Sequence, residues 1–321
     1  VRDGADTVGA AVSSALGQDY RGDIEVIAAE GGSTDASRAV LDALAARHPQ
    51  VVVVDNPTGT TPAGLNAAIR AGTGEVVVRC DAHSELAPGY VSTAVARLDA
   101  TGAAVVGGIQ DAVGETFFER AVAIAMSNRL GSGGAAYRSA GHPGPVETVY
   151  LGVFRRSVLA EVGLYDESLL RNQDYELNHR IIEAGYVVFF DPELRVRYRP
   201  RGTLPSLWRQ YFDYGRWKRL VLRRYPASLQ PRQLAAPVLV AGLVGSAAAS
   251  AIGLRRLSQV VPVAYGAAVA IATGVELAGR RDPAAVGTLV VLPTMHVAWG
   301  TGFWRAGIDD AGPQPGSLMA G

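Results

Sequence analysis

Asp81-Ala82-His83 sets a carboxylate and an imidazole two positions apart. On an extended segment the two can reach one divalent cation together, or one can hold the ion while the other meets a ligand. A carboxylate suits Mg or Mn, and the imidazole shifts the preference toward Mn. Such an ion takes up the negative charge that develops on a diphosphate leaving group. An ordinary surface turn has the same composition. Position adds weight to the chemistry, because the triplet follows the apolar run Glu75 to Arg79 and ligands of open parallel sheets bind beyond the carboxyl ends of strands. A second run of this kind ends in Glu30-Gly31-Gly32-Ser33-Thr34-Asp35. Its glycines permit close backbone approach, and the following helix offers N-terminal amides to an anion or polar ring; a capped strand-to-helix turn is the alternative. Asn172-Gln173-Asp174-Tyr175-Glu176 opens a helix, where an acidic group can act as general base toward an acceptor hydroxyl or can cap the helix. The segment from Gln210 to Lys218 interleaves aromatic and basic residues, which suits phosphates, a sugar ring or packing at a membrane. Among the histidines, His83 and His142 are best placed for chemistry, and His48, His179 and His296 read as structural or exposed.

The elements that position these groups alternate in type. Helical spacing covers Thr7 to Leu16, Ala36 to Arg47, Thr61 to Ala71 (with Pro62 in its first turn), Pro88 to Ala100, Phe117 to Ser127, Ser157 to Val162, Asp174 to Ala184 and Leu204 to Arg223. Short apolar runs at Ile24 to Ala29, Val51 to Val54, Glu75 to Arg79, Val105 to Gly108, Val149 to Phe154 and Val187 to Phe190 have strand length. This order predicts an α/β fold, a Rossmann-like, mostly parallel sheet with helices on both faces. Gly131 to Gly144 reads as a mobile loop. The chain opens on the loop-like Arg2-Asp3-Gly4 with no signal peptide, so the opening strand of a nucleotide-binding sheet is expected ahead of Val1. In 321 residues the acidic and basic groups balance, which gives no reason to expect a nucleic-acid partner. Cys80 is the single cysteine, so no intrachain disulfide and no cysteine-based zinc site can form.

Charge is concentrated before Pro226 and apolar residues after it. Ala235 to Gly253, Leu257 to Ala278 and Ala284 to Trp304 each approach the roughly 20 residues that cross a bilayer as a helix, and Glu276 is the one carboxylate among them. They predict C-terminal transmembrane helices over 226–306, a flexible tail over 307–321 and a catalytic domain over 1–225. Arg216 to Arg224 holds five basic residues and Trp217, which suits an anionic cytoplasmic membrane surface. Three full spans place the tail across the membrane. With simple spans, one of the pairs Arg255-Arg256 and Arg280-Arg281 must also face outward, and a re-entrant or interfacial segment is the alternative.

Taken in order, the motifs resemble glycosyltransferase family 2, the inverting GT-A enzymes, over roughly residues 1 to 225. The matching segments are Glu30 to Asp35, Asn66 to Glu75, Asp81-Ala82-His83, Phe154-Arg155-Arg156 with Gly163 to Glu167, and Gln173-Asp174. The chain departs from the family at Glu30 and His83, each in place of an Asp, and at Gln173 in place of a Glu. It also lacks the Q-x-x-R-W motif of processive synthases. The Asp-Ala-His triplet, the Gln173 to Asn178 segment, the Tyr214 to Lys218 helix and the apolar tail look most like succinoglycan-type bacterial exopolysaccharide glucosyltransferases. The resemblance implies nucleotide-sugar binding by Glu30, Ser33, Asp35, Asn66, Arg79 and Asp81, and a divalent cation, Mn or Mg, on Asp81 and His83. It implies Asp174 as the catalytic base and acceptor or phosphate contacts from Gln173, Arg209, Arg216 and Trp217. The donor is expected to be a UDP-linked hexose and the acceptor a polyprenyl-linked saccharide. The enzyme is expected at the inner (plasma) membrane with its catalytic domain cytoplasmic. A polyprenyl-phosphate sugar synthase and an inactive sugar-nucleotide-binding subunit remain the alternatives.

Overall fold

The computed structural model describes residues 1–138 and 141–308. In chain order the elements are α1 (Ala5–Leu16), β1 (Val26–Glu30), α2 (Ser37–Arg47), β2 (Val51–Asp55), α3 (Thr61–Ala71), β3 (Val76–Val78), β4 (Ser84–Leu86), α4 (Tyr90–Thr101) and β5 (Val105–Ala112). There follow α5 (Phe117–Ser127), α6 (Arg129–Ser132), β6 (Gly144–Pro145), β7 (Tyr150–Arg155), α7 (Arg156–Val162), α8 (Gln173–Glu183) and β8 (Val188–Tyr198). The last four are α9 (Leu204–Arg224), α10 (Ala235–Ala251), α11 (Arg255–Arg280) and α12 (Thr288–Ile308). Two compact units result, Val1–Ala112 with Ala136–Arg199, and Val113–Ala135 with Pro200 onward.

The first unit confirms the α/β class, and its main sheet is mixed, in the order β3-β7-β5-β8-β4 with β6 beside β8. β5 and β8 run parallel, while β7 is antiparallel to both β3 and β5. The expected mostly parallel sheet is therefore corrected to a mixed one, because apolar runs carry no strand direction. β5 is central because both of its faces are apolar. Val105 packs with Phe154, Leu177, Ile181 and Phe190 on one face, and Val106 with Ala94, Leu98, Val153 and Leu194 on the other. A smaller parallel pair, β1 and β2, packs against α1 and α2 through Ala28, Val51, Val8, Val12 and Leu41. Val1 lies in register beside β1, its amine donating to the Ala29 carbonyl at 2.6 Å and its carbonyl accepting from Gly31 N–H at 2.7 Å.

β8 extends to Tyr198, well past the expected end at Phe190. The strand passes through Asp191-Pro192-Glu193 with a register shift against β5 between Gly107 and Ile109. Gly108 makes this possible, because a Cβ there would run into the Leu194 carbonyl and come within 2.6 Å of the Asp191 carbonyl. Buried Asp191 is neutralised by Arg97. The region expected as a loop over 131–144 holds the end of α6, a 3₁₀ turn at Ala136–Arg138 and the start of β6. The expected tail beyond Ile308 lies outside the described residues.

In the second unit a capping box starts α5. Glu119 N–H donates to Thr116 Oγ1 at 3.2 Å, and Thr116 N–H donates back to Glu119 Oε2 at 3.0 Å. α5, α6 and α9, which the sequence groups with the first 225 residues, pack with the apolar helices instead. The reason for α9 is steric. Gly215 lets the Trp299 carbonyl against its backbone, and Gly302 admits the Phe212 carbonyl. A helical pattern reveals a buried face but not its partner.

Gly108→Ala is expected to destabilise the protein by about 2 kcal/mol or more, since overpacking typically costs 1–3 kcal/mol and here the obstacle is backbone. Thermal unfolding of the detergent-solubilised variant measures this; an unchanged midpoint would show that β5 and β8 do not approach as described.

Candidate active site

Arg79 lies just past β3, and its side chain is only 6% exposed. Its Nε donates to Asp81 Oδ1 at 2.9 Å and its Nη2 to Asp81 Oδ2 at 3.2 Å, a two-pronged fork. Its Nη1 donates to Asp174 Oδ1. One guanidinium therefore joins the carboxylate of the Asp-Ala-His triplet to the carboxylate expected as base, which lies 95 residues from Arg79 in sequence. The aromatic face of Tyr165 lies 5.9 Å from the guanidinium carbon.

The electrostatics follow from this sharing. Burial alone would raise the pKa of Asp81, but Arg79 and His83 outweigh it and hold Asp81 below the usual carboxylate value. For Asp174 the balance is opposite. Burial and the Asp81 charge push it above the usual value against the pull of Arg79. Two neighbouring carboxylates thus diverge in acidity, the pattern by which sites separate a permanent charge from a proton acceptor. The Asp174 side chain stays 37% exposed, which leaves room for an incoming hydroxyl.

Each partner is positioned by local structure. Ser84 N–H donates to the Asp81 carbonyl at 2.9 Å, so the triplet is a turn rather than the extended segment expected. The turn leaves His83 exposed, with its ring against Tyr198 at 5.6 Å. Asp174 sits in the first turn of α8, where the amides favour a negative charge. Asn172 starts that helix from a left-handed conformation, φ 60°, which Asn tolerates better than most residues. Gln173 is buried beside it.

Asn66, expected at the nucleotide, is buried and engaged elsewhere. Its amide donates to the Tyr165 carbonyl at 2.9 Å and to Glu167 at 2.8 Å, and its oxygen accepts from Tyr165 N–H at 3.0 Å. It holds Tyr165 under Arg79. Arg180 completes that loop by donating to the carbonyls of Val162 and Leu164. The Phe154-Arg155-Arg156 motif is likewise structural. Arg155 donates to the Leu98 and Ala103 carbonyls at the end of α4, and Arg156 to the Ile69 carbonyl at the end of α3.

Glu30 folds back on its own glycine loop, accepting from Ser33 N–H at 2.7 Å and Gly32 N–H at 3.1 Å. Burial would raise its pKa, but these bonds and Arg38 hold it low. The Ser33 hydroxyl accepts from Asp3 N–H, and Asp35 accepts from Ala5 and Ser37 N–H groups. Arg209, Arg216 and Trp217 belong to α9 of the second unit. Trp217, expected to meet the acceptor, is 3% exposed and serves packing there. The spacing of the basic residues hid this, because it marked the helix as amphipathic without showing that its aromatic side faces protein.

The residues at the triplet fit a divalent cation. No group of three or more His, Cys, Asp or Glu side chains suited to a metal occurs among the described residues. Asp81 and His83 offer a hard oxygen and an imidazole nitrogen, a set that leaves most positions to phosphate oxygens and water, as Mg and Mn sites commonly do. The Arg79 fork takes one lone pair of each Asp81 oxygen and leaves the others for an ion.

Arg79→Lys keeps the charge but loses the fork. Since a displacement on the order of 1 Å can reduce turnover about 100-fold, kcat is expected to fall by about that factor with secondary structure intact. Steady-state kinetics with circular dichroism measure this, and wild-type kcat would remove the positioning role.

The model of glycosyl transferase family 2 matches residues 2–163. The succinoglycan biosynthesis protein ExoA of Rhizobium meliloti (strain 1021) is 34% identical over 287 residues, covering 88% of this chain and 86% of its own. A dolichyl N-acetyl-alpha-D-glucosaminyl phosphate 3-beta-D-2,3-diacetamido-2,3-dideoxy-beta-D-glucuronosyltransferase of Methanococcus voltae is 23% identical over 216 residues, covering 64% of this chain and 67% of its own. Among solved structures, the mannosyltransferase PcManGT of Pyrobaculum calidifontis, in complex with GDP-Man and Mn2+, superposes with a TM-score of 0.65 at 19% identity. That superposition covers 95% of this chain and 85% of the other, and it shows a shared GT-A fold. On the family match and the extent of the ExoA likeness, this chain belongs to glycosyl transferase family 2 and is a glycosyltransferase.

Proposed function

We propose that the enzyme moves a hexose from a UDP-linked donor to a lipid-linked saccharide during bacterial polysaccharide synthesis, with inversion at the anomeric carbon. The observation that carries the reading is the shared guanidinium of Arg79, which sets the Asp81 and Asp174 carboxylates on one scaffold. Glu30, Ser33 and Asp35 shape the loop for base and ribose, with Asn66 acting indirectly through Tyr165. Asp81 and His83 would hold a divalent cation, which would supply positive charge against the departing diphosphate. Asp174 accepts the proton of the acceptor hydroxyl as its oxygen bonds to the anomeric carbon. The bond from that carbon to the diphosphate breaks on the opposite face, and the nucleoside diphosphate carries the electron pair away. Arg79 keeps Asp174 aimed and its charge balanced throughout.

A lipid-linked acceptor is supported by the three helices long and apolar enough to cross a membrane and by the lipid-linked sugar in the name of the Methanococcus voltae relative. That name also favours a saccharide acceptor over a bare lipid phosphate. Exposed Arg209 and half-buried Arg216 are proposed contacts for the acceptor's phosphates, and the basic end of α9 faces the anionic cytoplasmic surface.

Mass analysis of lipid-linked products, after membranes are incubated with a panel of nucleotide sugars, tests the assignment. A single hexose increment from a UDP-sugar is expected; a product carrying the sugar on a lipid monophosphate would replace it with a synthase. Asp174→Asn is expected to lower kcat by roughly 10²–10⁴ while nucleotide binding persists, and full turnover would end its role as base. The raised pKa of Asp174 fixes the direction of the pH dependence. The base must be ionised, so the acid limb of kcat/KM lies at higher pH than an ordinary aspartate gives, and the rate declines as pH falls through it. Chelation is expected to abolish transfer and added Mn or Mg to restore it; transfer that survives chelation would remove the ion from the mechanism.

A further inference from the structure

His83 is the exposed member of the pair read as metal ligands. A turn by itself does not fix an imidazole. A ligand nitrogen must stay within a narrow arc of its ion, so a ring free to rotate gives up that freedom on binding and holds the ion less tightly. A ring already fixed by its neighbours has met that cost during folding.

Tyr198, the last residue of β8, lies against the His83 ring edge to face, with centroids 5.6 Å apart and planes inclined at 66°. Its own place is closely determined. β8 runs between β5 and β4, and Tyr198 stands opposite Ala112 on one side and Ser84 on the other. Residues directly opposite one another share a face of the sheet, so the Tyr198 ring and the Ser84 hydroxyl lie on the same side. Tyr150 of β7 stands opposite Gly108 of β5. Gly108, Gln110 and Ala112 are alternate residues of one strand, which puts Tyr150 and Gln110 on that side as well. The contacts agree with the register. The Tyr150 and Tyr198 rings meet at 6.3 Å and 78°, and the Tyr150 and Ser84 hydroxyl oxygens are 3.2 Å apart. Gln110 gives the Tyr150 hydroxyl a second side-chain hydrogen bond. Burial, with the Asp81 charge behind it, raises the Tyr150 phenol well above its ordinary value, so it stays a neutral hydroxyl.

We propose that Tyr198 is a positioning residue for the metal site: its ring, backed by Tyr150 with Ser84 and Gln110, fixes the His83 imidazole in one orientation before the ion arrives. Asp81 is aimed by the Arg79 fork, so each ligand is oriented by a neighbour, one through charge and one through ring packing. Tyr198 is 5% exposed and Ser84 1%, which makes the support part of the interior rather than of the mobile surface. This role rests on Asp81 and His83 being the ligands of the cation.

Mn2+ is titrated together with UDP into the detergent-solubilised full chain and followed by electron paramagnetic resonance. The continuous-wave signal counts free ion, and the pulsed signal carries a modulation from the nitrogen of a bound imidazole. Wild type is expected to show that modulation and His83→Ala to lack it. Tyr198→Leu is expected to bind Mn2+ about ten-fold more weakly, as loss of a ligand's supporting partner commonly does, and to lose the modulation. Tyr198→Phe keeps the ring and is expected to match wild type. Should circular dichroism show that Tyr198→Leu does not fold, Tyr198→Met keeps more of the volume without a ring and carries the same expectation. In a His83→Asp background, Tyr198→Leu is expected to leave Mn2+ affinity unchanged, whereas a general loosening of the fold would lower it there too. Such a drop overturns the positioning role, as does wild-type affinity and modulation in Tyr198→Leu, and in both cases the ligands stand. Absence of the modulation from wild type overturns His83 as a ligand and the role of Tyr198 with it.

Discussion

A single cation shared by two carboxylates organises the catalytic unit. The Arg79 side chain is almost wholly buried and has two acidic partners, Asp81 and Asp174. Losing one partner of a buried pair commonly costs about 3–5 kcal/mol, so each carboxylate is held where the guanidinium holds it. The exposed edge of Asp174 tempers that figure for its own arm and keeps the site open on one side. The turn at Asp81, the start of α8 and the loop carrying Tyr165 all follow from keeping this arrangement intact.

The surrounding interactions are mostly backbone anchors made by polar side chains. Asn66 pins Tyr165, Arg180 pins the loop from Val162 to Leu164, and Arg155 and Arg156 satisfy carbonyls at the ends of α4 and α3. These account for several family motifs in structural terms, because a mixed sheet joined by short loops leaves helix ends that need donors. The anchors surround two carboxylates of unequal acidity, Asp81 and Asp174.

The second unit carries three helices long and apolar enough to cross a membrane. α10 and α11 present apolar side chains outward, while Asn128, Glu276, Arg280 and Ser127 join side chain to side chain where α11 meets α5. A carboxylate on so apolar a helix is tolerable because it is paired. Glycine at 215 and 302 brings α9 and α12 to backbone contact, so the basic helix is fastened to the apolar bundle rather than laid loosely beside it.

Much of this was legible in the residues. The helices at 61–71 and 117–127 fall where their apolar spacing and starting residues put them, since such signals act within a few turns. The separation of charged and apolar stretches marked the helices suited to a membrane, and ordered motifs identified the family. Tertiary structure alone decided what depends on distant partners. Sheet direction, the extension of β8 through Pro192 and the assignment of α9 to the apolar unit arise from packing between segments far apart in sequence. Asp81 and Asp174 each had a candidate role as single residues. That one arginine, 95 positions from Asp174, would bind them both could emerge only when folding removed water from around its charge and left those two carboxylates to balance it.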